Sequence, residues 1–92
     1  MKWSADPRKA ASNAKKHGVT FEESVRVFAD PVAEIEDDSA HGEGRYTILG
    51  RPYPWKRDLL FVVYVEISDD EVRLISARHA TRQERRRYEE GR

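Results

Sequence analysis

One apolar run, LLFVVYVEI at 59–67, constrains the fold of this chain more than any other feature. Its first seven residues are all apolar, and successive side chains of a strand point to opposite faces. Both faces of this strand are therefore apolar, which is typical of a strand buried in the middle of a sheet. A chain of 92 residues has room for one domain with a small core. We expect a single domain over residues 1–92, built around this strand.

Shorter β-type segments lie before and after the central run. Turn sequences separate them, namely HGEG at 41–44 and SDDE at 68–71. Strands that follow one another through short turns pair antiparallel. The sequence therefore predicts an antiparallel sheet of about four strands, and MKWS at the N-terminus alternates polar and apolar residues as a short strand does. The four are VAEIEDD (32–38), RYTILG (45–50), LLFVVYVEI (59–67) and VRLISA (72–77).

Helix signals occur at both ends of the chain. Asp6 precedes a proline, as an N-cap residue does, and Gly18 lies where that helix would end. Thr20 and Glu23 have the spacing of a capping box for a second helix. A third, very polar helix is predicted from Thr81 onward. These signals predict an α+β fold with two N-terminal helices, an antiparallel sheet and a C-terminal helix.

Several classes of protein are excluded by residues that the chain lacks. It has no cysteine, so neither disulfides nor thiolate metal sites are available. Its three histidines show no pair at the i, i+4 spacing of metal ligands, and we predict no metal. No signal-peptide-like apolar run lies near the N-terminus, and the longest apolar stretch is too short for a bilayer. We expect a soluble cytoplasmic protein that has no cofactor and does not contact a membrane.

The formal net charge is zero, but the charges are strongly segregated along the chain. Residues 1–28 hold six bases and three acids, and residues 73–92 hold seven bases and three acids. Residues 29–44 hold six acids and no base, so they form an acidic middle segment. If the two basic ends meet in the fold, they form a surface that attracts phosphate.

Arg78 is the arginine that the pattern singles out, because it lies at the end of a strand. Strict alternation would place it on the same face as Val72, Leu74 and Ser76, which is mostly buried. It would then emerge at the rim of that face, held by packing and suited to bind a phosphate. The alternative is a structural ion pair with the acidic middle segment.

Other basic and aromatic residues have two readings each. The arginines of the last helix either form a solvated charged face or follow an RNA backbone. His17 shares a helix–helix corner with Lys16 and Glu23, but the residues alone favour a simple histidine at a helix C-terminus. Tyr53 and Trp55 lie in a basic, proline-rich loop and either stack on bases or cover an edge of the core.

Three blocks of this sequence together resemble the BrnT family of bacterial toxins. The resemblance implies a compact RelE-like α+β fold and a metal-independent endoribonuclease that arrests translation. It also implies neutralisation by a BrnA-like antitoxin, expected as a heterotetramer, with operator DNA bound only through the antitoxin. The blocks are DPRKAASNAKKHGVTFEESVRVFADP (6–31), GEGRYTILG (42–50) and RLISARHATRQERRRYEE (73–90).

The resemblance also implies a set of site residues. We expect Arg78 and Arg45 to hold the scissile phosphate, His17 or Glu23 to act as acid or base, and Lys16 to assist. The predicted product ends in a 2′,3′-cyclic phosphate. Tyr88 is expected to orient the nucleotide, Glu84 matches the family as well, and the residues expected to bind the RNA backbone are Lys15, Arg82, Arg85 and Arg86.

The chain departs from the family pattern at Gly44, at Ile67 and in the loop RPYPWKRD (51–58). These differences bear on substrate preference rather than on the fold.

Two other functions stay open on the sequence alone. A non-catalytic nucleic-acid-binding module would bind RNA or DNA in a salt-sensitive way without cutting it. A partner-docking subunit would show no RNA affinity once its partner is removed.

Overall fold

The computed structural model describes residues 1–91 and confirms the α+β class. Short 3₁₀ turns at Val27–Ala29 and Ser39–His41 complete the set of elements. In chain order, the strands and helices are β1 (Lys2–Ala5), α1 (Pro7–His17), α2 (Phe21–Arg26), β2 (Glu34–Asp37), β3 (Arg45–Gly50), β4 (Leu60–Ser68), β5 (Glu71–His79) and α3 (Arg82–Glu90).

The sheet has five strands in the order β1-β5-β4-β3-β2 and is mixed rather than antiparallel. Strands β2 to β5 pair antiparallel, as their short connections predict. The prediction of about four antiparallel strands was wrong in that β1 adds a fifth strand, parallel to β5. Two helices and three strands separate β1 from β5 along the chain, so no short turn forces this pair to be antiparallel.

The central position predicted for the apolar run is confirmed, because β4 is the middle strand. One face of the sheet packs on the N-terminal helices and forms the larger core. The other face packs on α3 through a smaller cluster formed by Leu49, Leu59 and Tyr88. We call these the N-terminal-helix face and the α3 face. The larger core consists of Val19, Val27, Ile48, Leu60, Val62, Tyr64, Val72, Leu74 and Ala77.

A β-bulge in β5 changes which residues point to each face. Val63 pairs with Ser76, but the next residue of β4 pairs with Leu74, so Ile75 is an extra residue without a direct partner. Ala77 consequently joins Leu74 in the larger core. Arg78 therefore points to the opposite face, and the predicted alternation was wrong for it.

The turn between β2 and β3 depends on glycine. Gly44 has φ +70°, a conformation in which a side chain is strained. A Cβ at this position would also lie 3.2 Å from the carbonyl oxygen of Glu66. The amide of Glu66 donates to the carbonyl of Gly44, which joins the turn to β4. The departure from the family pattern at this position thus fits the local backbone.

Candidate functional site

Helix α1 presents Lys16 and His17 at its C-terminal end. The Asp6 side chain accepts hydrogen bonds from the amides of residues 8 and 9 and so caps the first turn. At the other end, Gly18 has φ +70° and its amide donates to the carbonyl of Ala14. Positive side chains in the last turn are favoured by the partial negative charge of the helix C-terminus. The end of α1 is therefore a well-defined position for basic groups.

Asn13 fixes α1 to the outer edge of β5. Its amide nitrogen donates to the carbonyl of Ala77 at 2.8 Å, and its amide oxygen accepts from the Ala77 N–H at 3.0 Å. Strand β1 pairs only with residues 71–74, so the backbone at Ala77 would otherwise lack a partner on that side. The Asn13 side chain thus replaces a strand partner and holds α1 beside the bulge.

A groove of about 450 Å³ lies between α1 and the edge of β5. We call it the α1–β5 groove. From β5 it contains Ile75 and Ser76, and from α1 it contains only basic and polar residues. Its lining includes no carboxylate, and within residues 1–91 none of its cations forms an ion pair. A groove of this charge can bind a phosphate without first breaking a salt bridge. Its basic residues are Arg8, Lys9, Lys16 and His17.

Glu23 belongs to the capping box of α2, as the sequence predicted. Its Oε1 accepts from the amide of Thr20 at 3.0 Å, and the Thr20 hydroxyl accepts from the Glu23 amide at 3.1 Å. The box therefore fixes the corner that joins α1 to α2. One carboxylate oxygen, Oε2, is not engaged in the capping box. Glu23 thus has a clear structural role, and its catalytic role stays a prediction.

Arg78 forms a two-pronged ion pair with Glu84 of α3. Its Nη1 and Nη2 donate to the two carboxylate oxygens at 2.8 and 2.9 Å. Its guanidinium also lies 4.3 Å from the centre of the Phe61 ring. Glu84 closes the capping box of α3 as well, accepting from the Thr81 amide. The partner of Arg78 is therefore a residue of α3 and not of the acidic middle segment.

The same contacts set the ionisation of this pair. The hydrogen bond to Arg78 is the main reason that the pKa of Glu84 lies below its ordinary value of 4.5. The hydrogen bond to Glu84 likewise raises the pKa of Arg78. These contacts use Nη1 and one donor of Nη2, and within residues 1–91 Nε donates no hydrogen bond. Glu84 therefore orients Arg78 without using all its donors.

Arg45 lies apart from Arg78. Arg45 pairs with Val65 across β3 and β4, whereas Arg78 pairs with Phe61. Four residues along β4 separate these two rows, roughly 13 Å. Arg45 instead contacts Asp38 at 2.8 Å. The structure does not bring the two arginines predicted to share one phosphate next to each other.

Asp38 connects Arg45 to the turn before β3. His41 Nδ1 lies 2.7 Å from Asp38 Oδ1. The hydrogen bonds from His41 and then from Arg45 lower the pKa of Asp38. These contacts form a small charged cluster at the end of the sheet that is distant from α1.

Tyr88 is a core residue with 2% of its surface exposed. Its hydroxyl donates to Asp30 Oδ2 at 2.6 Å, and that oxygen also accepts from the amide of Arg51 at 2.8 Å. Burial raises the pKa of Asp30, but the hydrogen bonds from Tyr88 and from two backbone amides outweigh it, so the pKa is lowered overall. In this position Tyr88 attaches α3 to the sheet, and its ring is not accessible to a nucleotide.

The residues predicted to bind RNA backbone differ in their surroundings. Lys15, Arg82 and Arg86 are exposed, and within the described part of the chain they form no ion pair. Arg85 donates to the carbonyl of Arg57 at 2.9 Å and lies 4.0 Å from Glu89. The first three side chains are therefore available to phosphate, whereas Arg85 is partly engaged.

Residues 1–91 contain no group of three or more His, Cys, Asp or Glu side chains placed to hold a metal ion. Within the same range, every helix is too short or too polar to cross a membrane.

Sequence reasoning missed two residues that shape this region, Asn13 and Asp30. Asn13 had a signal, since asparagine is unfavourable inside an alanine- and lysine-rich helix unless its side chain has a backbone partner. Asp30 precedes a proline, which indicates only that a helix does not continue, although Asp30 accepts hydrogen bonds from Tyr88 and from the backbone after β3. Its long-range partners leave no local pattern.

Comparison with known proteins shows the family of this chain and a solved structure with a similar fold. The family model described as the ribonuclease toxin BrnT of type II toxin–antitoxin systems matches residues 5–84. The crystal structure of the Brucella abortus ribonuclease toxin BrnT has a TM-score of 0.71 to this chain at 22% sequence identity. That similarity covers 89% of this chain and 99% of the Brucella chain, and it shows a shared fold. No curated protein matches the sequence.

Proposed function

This chain belongs to the BrnT family of ribonuclease toxins of type II toxin–antitoxin systems, and on that premise we propose that it is a metal-independent endoribonuclease that arrests translation in the cytoplasm. The main observation in support of an active site is that the basic side chains lining the α1–β5 groove form no ion pair within residues 1–91. Because Lys16 and His17 lie in this groove, they are the first candidates for contact with the scissile phosphate.

RNA supplies its own nucleophile for the proposed reaction. The 2′-oxygen forms a bond to the neighbouring phosphorus while the bond from phosphorus to the 5′-oxygen breaks. One group accepts the 2′-hydroxyl proton and another donates a proton to the leaving oxygen. The products are a 2′,3′-cyclic phosphate end and a 5′-hydroxyl end. The protein must position the phosphate and stabilise the added negative charge, which cationic side chains do without a metal.

His17 is proposed as acid or base, because imidazole exchanges protons near neutral pH and this side chain lines the groove. Lys16 is proposed to stabilise the phosphate charge. Glu23 is the second proton-transfer candidate, and its remaining oxygen is the atom that would act. Arg78 follows Ser76 of the groove by two residues, and we propose that its remaining donors bind the adjacent phosphate.

Two expected roles change with the geometry. Arg45 is proposed to contact RNA away from the scissile phosphate, because it lies four residues along the sheet from the row of Arg78. Tyr88 is proposed to position α3 through Asp30 rather than to touch the nucleotide. Lys15, Arg82, Arg85 and Arg86 are proposed to bind the RNA backbone.

A type II toxin has a protein antitoxin, and we propose that a BrnA-like partner covers the basic α1–β5 groove with an acidic segment. We further propose a heterotetrameric complex that binds operator DNA only through the antitoxin. Release from the antitoxin would then expose the groove to RNA.

The test is RNA cleavage by the purified chain, freed of antitoxin, in buffer with EDTA. The proposal predicts cleavage with 2′,3′-cyclic phosphate ends, detected by end-group analysis of the fragments. Salt-sensitive RNA binding without cleavage would instead support the non-catalytic binding module. No affinity for RNA from a folded chain would support the partner-docking subunit.

A further inference from the structure

The loop between β3 and β4 carries an exposed aromatic pair. Trp55 has 72% of its surface exposed, so it does not cover an edge of the core. Its ring centre lies 5.5 Å from that of Tyr53, and the two rings are tilted by 41°. An exposed indole ring held beside a second ring offers a flat surface on which a base can stack.

Cations surround this aromatic pair. The Arg26 guanidinium lies 4.8 Å and the Lys56 ammonium 5.0 Å from the centre of the Tyr53 ring. Residues 51–57 include three bases and no acid. Within the described residues, the side chains of Arg26, Lys56 and Arg57 form no ion pair. The loop therefore combines a stacking surface with unpaired positive charge, the two features that single-stranded nucleic acid requires.

The loop lies beside α3 and follows a strand that is close to β5. Arg85 of α3 donates to the carbonyl of Arg57, so the loop adjoins the helix that also carries Glu84, the partner of Arg78. Strand β3, which leads into the loop, is two strands away from β5. The axes of these two strands lie about 10 Å apart, and we propose that an RNA strand bound in the groove continues across the end of β4 to the loop.

We infer that Trp55, with Tyr53, Arg26 and Lys56, forms a second RNA subsite that stacks a base of the substrate beyond the cleaved bond. The inference rests on the proposed function, because it takes single-stranded RNA as the substrate. Stacking accepts every base, so this subsite raises affinity for longer RNA without fixing a sequence.

The experiment is a fluorescence titration of the full chain with a single-stranded 2′-O-methyl oligoribonucleotide. This probe lacks the free 2′-hydroxyl and cannot be cleaved, so binding is measured apart from catalysis. Of the two tryptophans, Trp3 packs against Phe28 with ring centres 4.7 Å apart, whereas Trp55 is exposed. We expect RNA to quench the emission of the wild type, and we expect the quench to vanish in Trp55→Phe while affinity is kept.

The Trp55→Ala variant should bind the probe roughly 5- to 100-fold more weakly. Ile67→Ala is the matched control, because Ile67 is also apolar and exposed but lies at the other end of β4. Far-ultraviolet circular dichroism would check that each variant is folded. Lys56→Ala should reduce the salt dependence of binding as well as the affinity.

Absence of quenching, or unchanged affinity in Trp55→Ala, would overturn the inference. So would a Trp55→Ala variant that binds RNA normally but loses the antitoxin, since the loop would then belong to the protein interface. The two proposals fail separately. RNA binding that depends on Trp55 without cleavage of natural RNA contradicts the ribonuclease, whereas cleavage without any effect of Trp55 contradicts only the subsite.

Discussion

The arginines near the C-terminus divide into side chains with and without a carboxylate partner. Arg78 contacts Glu84, and Arg87 contacts both Glu34 and Glu36. The ion pair with the acidic middle segment, which was the alternative reading of Arg78, is therefore absent for Arg78, and Arg87 contacts that segment instead. Sequence spacing does not reveal such partners, because they meet only when α3 packs on the sheet. Of the six arginines between residues 73 and 87, those that form no ion pair within residues 1–91 are Arg73, Arg82 and Arg86.

Glu84→Gln tests how strongly the ion pair with Arg78 stabilises the fold. The pKa of Glu84 is lowered in the folded chain, so its contribution is present above the ordinary value of 4.5 and is lost as the pH falls through the folded pKa. We expect the variant to be less stable by about 1 kcal/mol at neutral pH. Thermal unfolding from about pH 6 to about pH 3 should show the difference between variant and wild type shrinking toward acid. A difference that is constant with pH would contradict this account.

Tyr88→Phe tests whether Tyr88 is structural. The variant keeps the buried ring but removes the hydrogen bond to Asp30, which should cost about 1 kcal/mol of unfolding free energy in urea denaturation. RNA cleavage by the folded variant should be unchanged, because the ring is buried. If the variant lost RNA cleavage while its stability stayed unchanged, Tyr88 would have a catalytic role.

At the scale of elements, local signals located the helices well and the strand faces less well. The N-cap at Asp6 and the capping box at Thr20 were readable because their partners lie within three residues. The bulge at Ile75 was not, because an apolar residue fits either face of β5. One unrecognised extra residue reversed the orientation of Arg78, since the side chains of a strand alternate.

Asn13→Ala tests the attachment of α1 to β5. The change leaves the N–H and the carbonyl of Ala77 without their side-chain partners, and we expect a loss of about 2 kcal/mol in chemical denaturation. RNA cleavage should fall as well, because α1 carries Lys16 and His17. Ser12→Ala is the control on the same helix and should change stability by less than about 0.5 kcal/mol. Equal stability of the two variants would show that Asn13 does not hold the helix.

At the scale of the whole molecule, zero net charge conceals a groove whose basic side chains form no ion pair within residues 1–91. The acidic middle segment neutralises part of the C-terminal cluster through Arg87, and it leaves the cations of α1 free. Charge counts along the sequence predicted a basic surface but not which cations it would contain. The family resemblance supplied Lys16 and His17, and the fold then placed them in one groove.

Two neighbouring arginines of α3 test whether cations without an ion pair contribute more to RNA binding than paired ones. Arg86→Ala removes an unpaired cation, so the slope of log affinity for single-stranded RNA against log salt should fall by about 0.7. Arg87→Ala removes a cation that already has two carboxylate partners, so the slope should change little. The measurement is the RNA affinity of each variant over a range of salt concentrations. Equal effects of the two variants would mean that ion pairing does not determine which arginines bind RNA.

The most direct test of the central claim compares RNA cleavage by Lys16→Ala and His17→Ala with that by Lys2→Ala and His41→Ala, all in EDTA. The first pair lies in the α1–β5 groove, whereas the second pair removes the same side chains elsewhere. If the groove is the active site, each groove variant should lose roughly 100-fold in cleavage rate while both controls keep it. Full activity in folded Lys16→Ala and His17→Ala would contradict the account and place the ribonuclease site elsewhere on the chain.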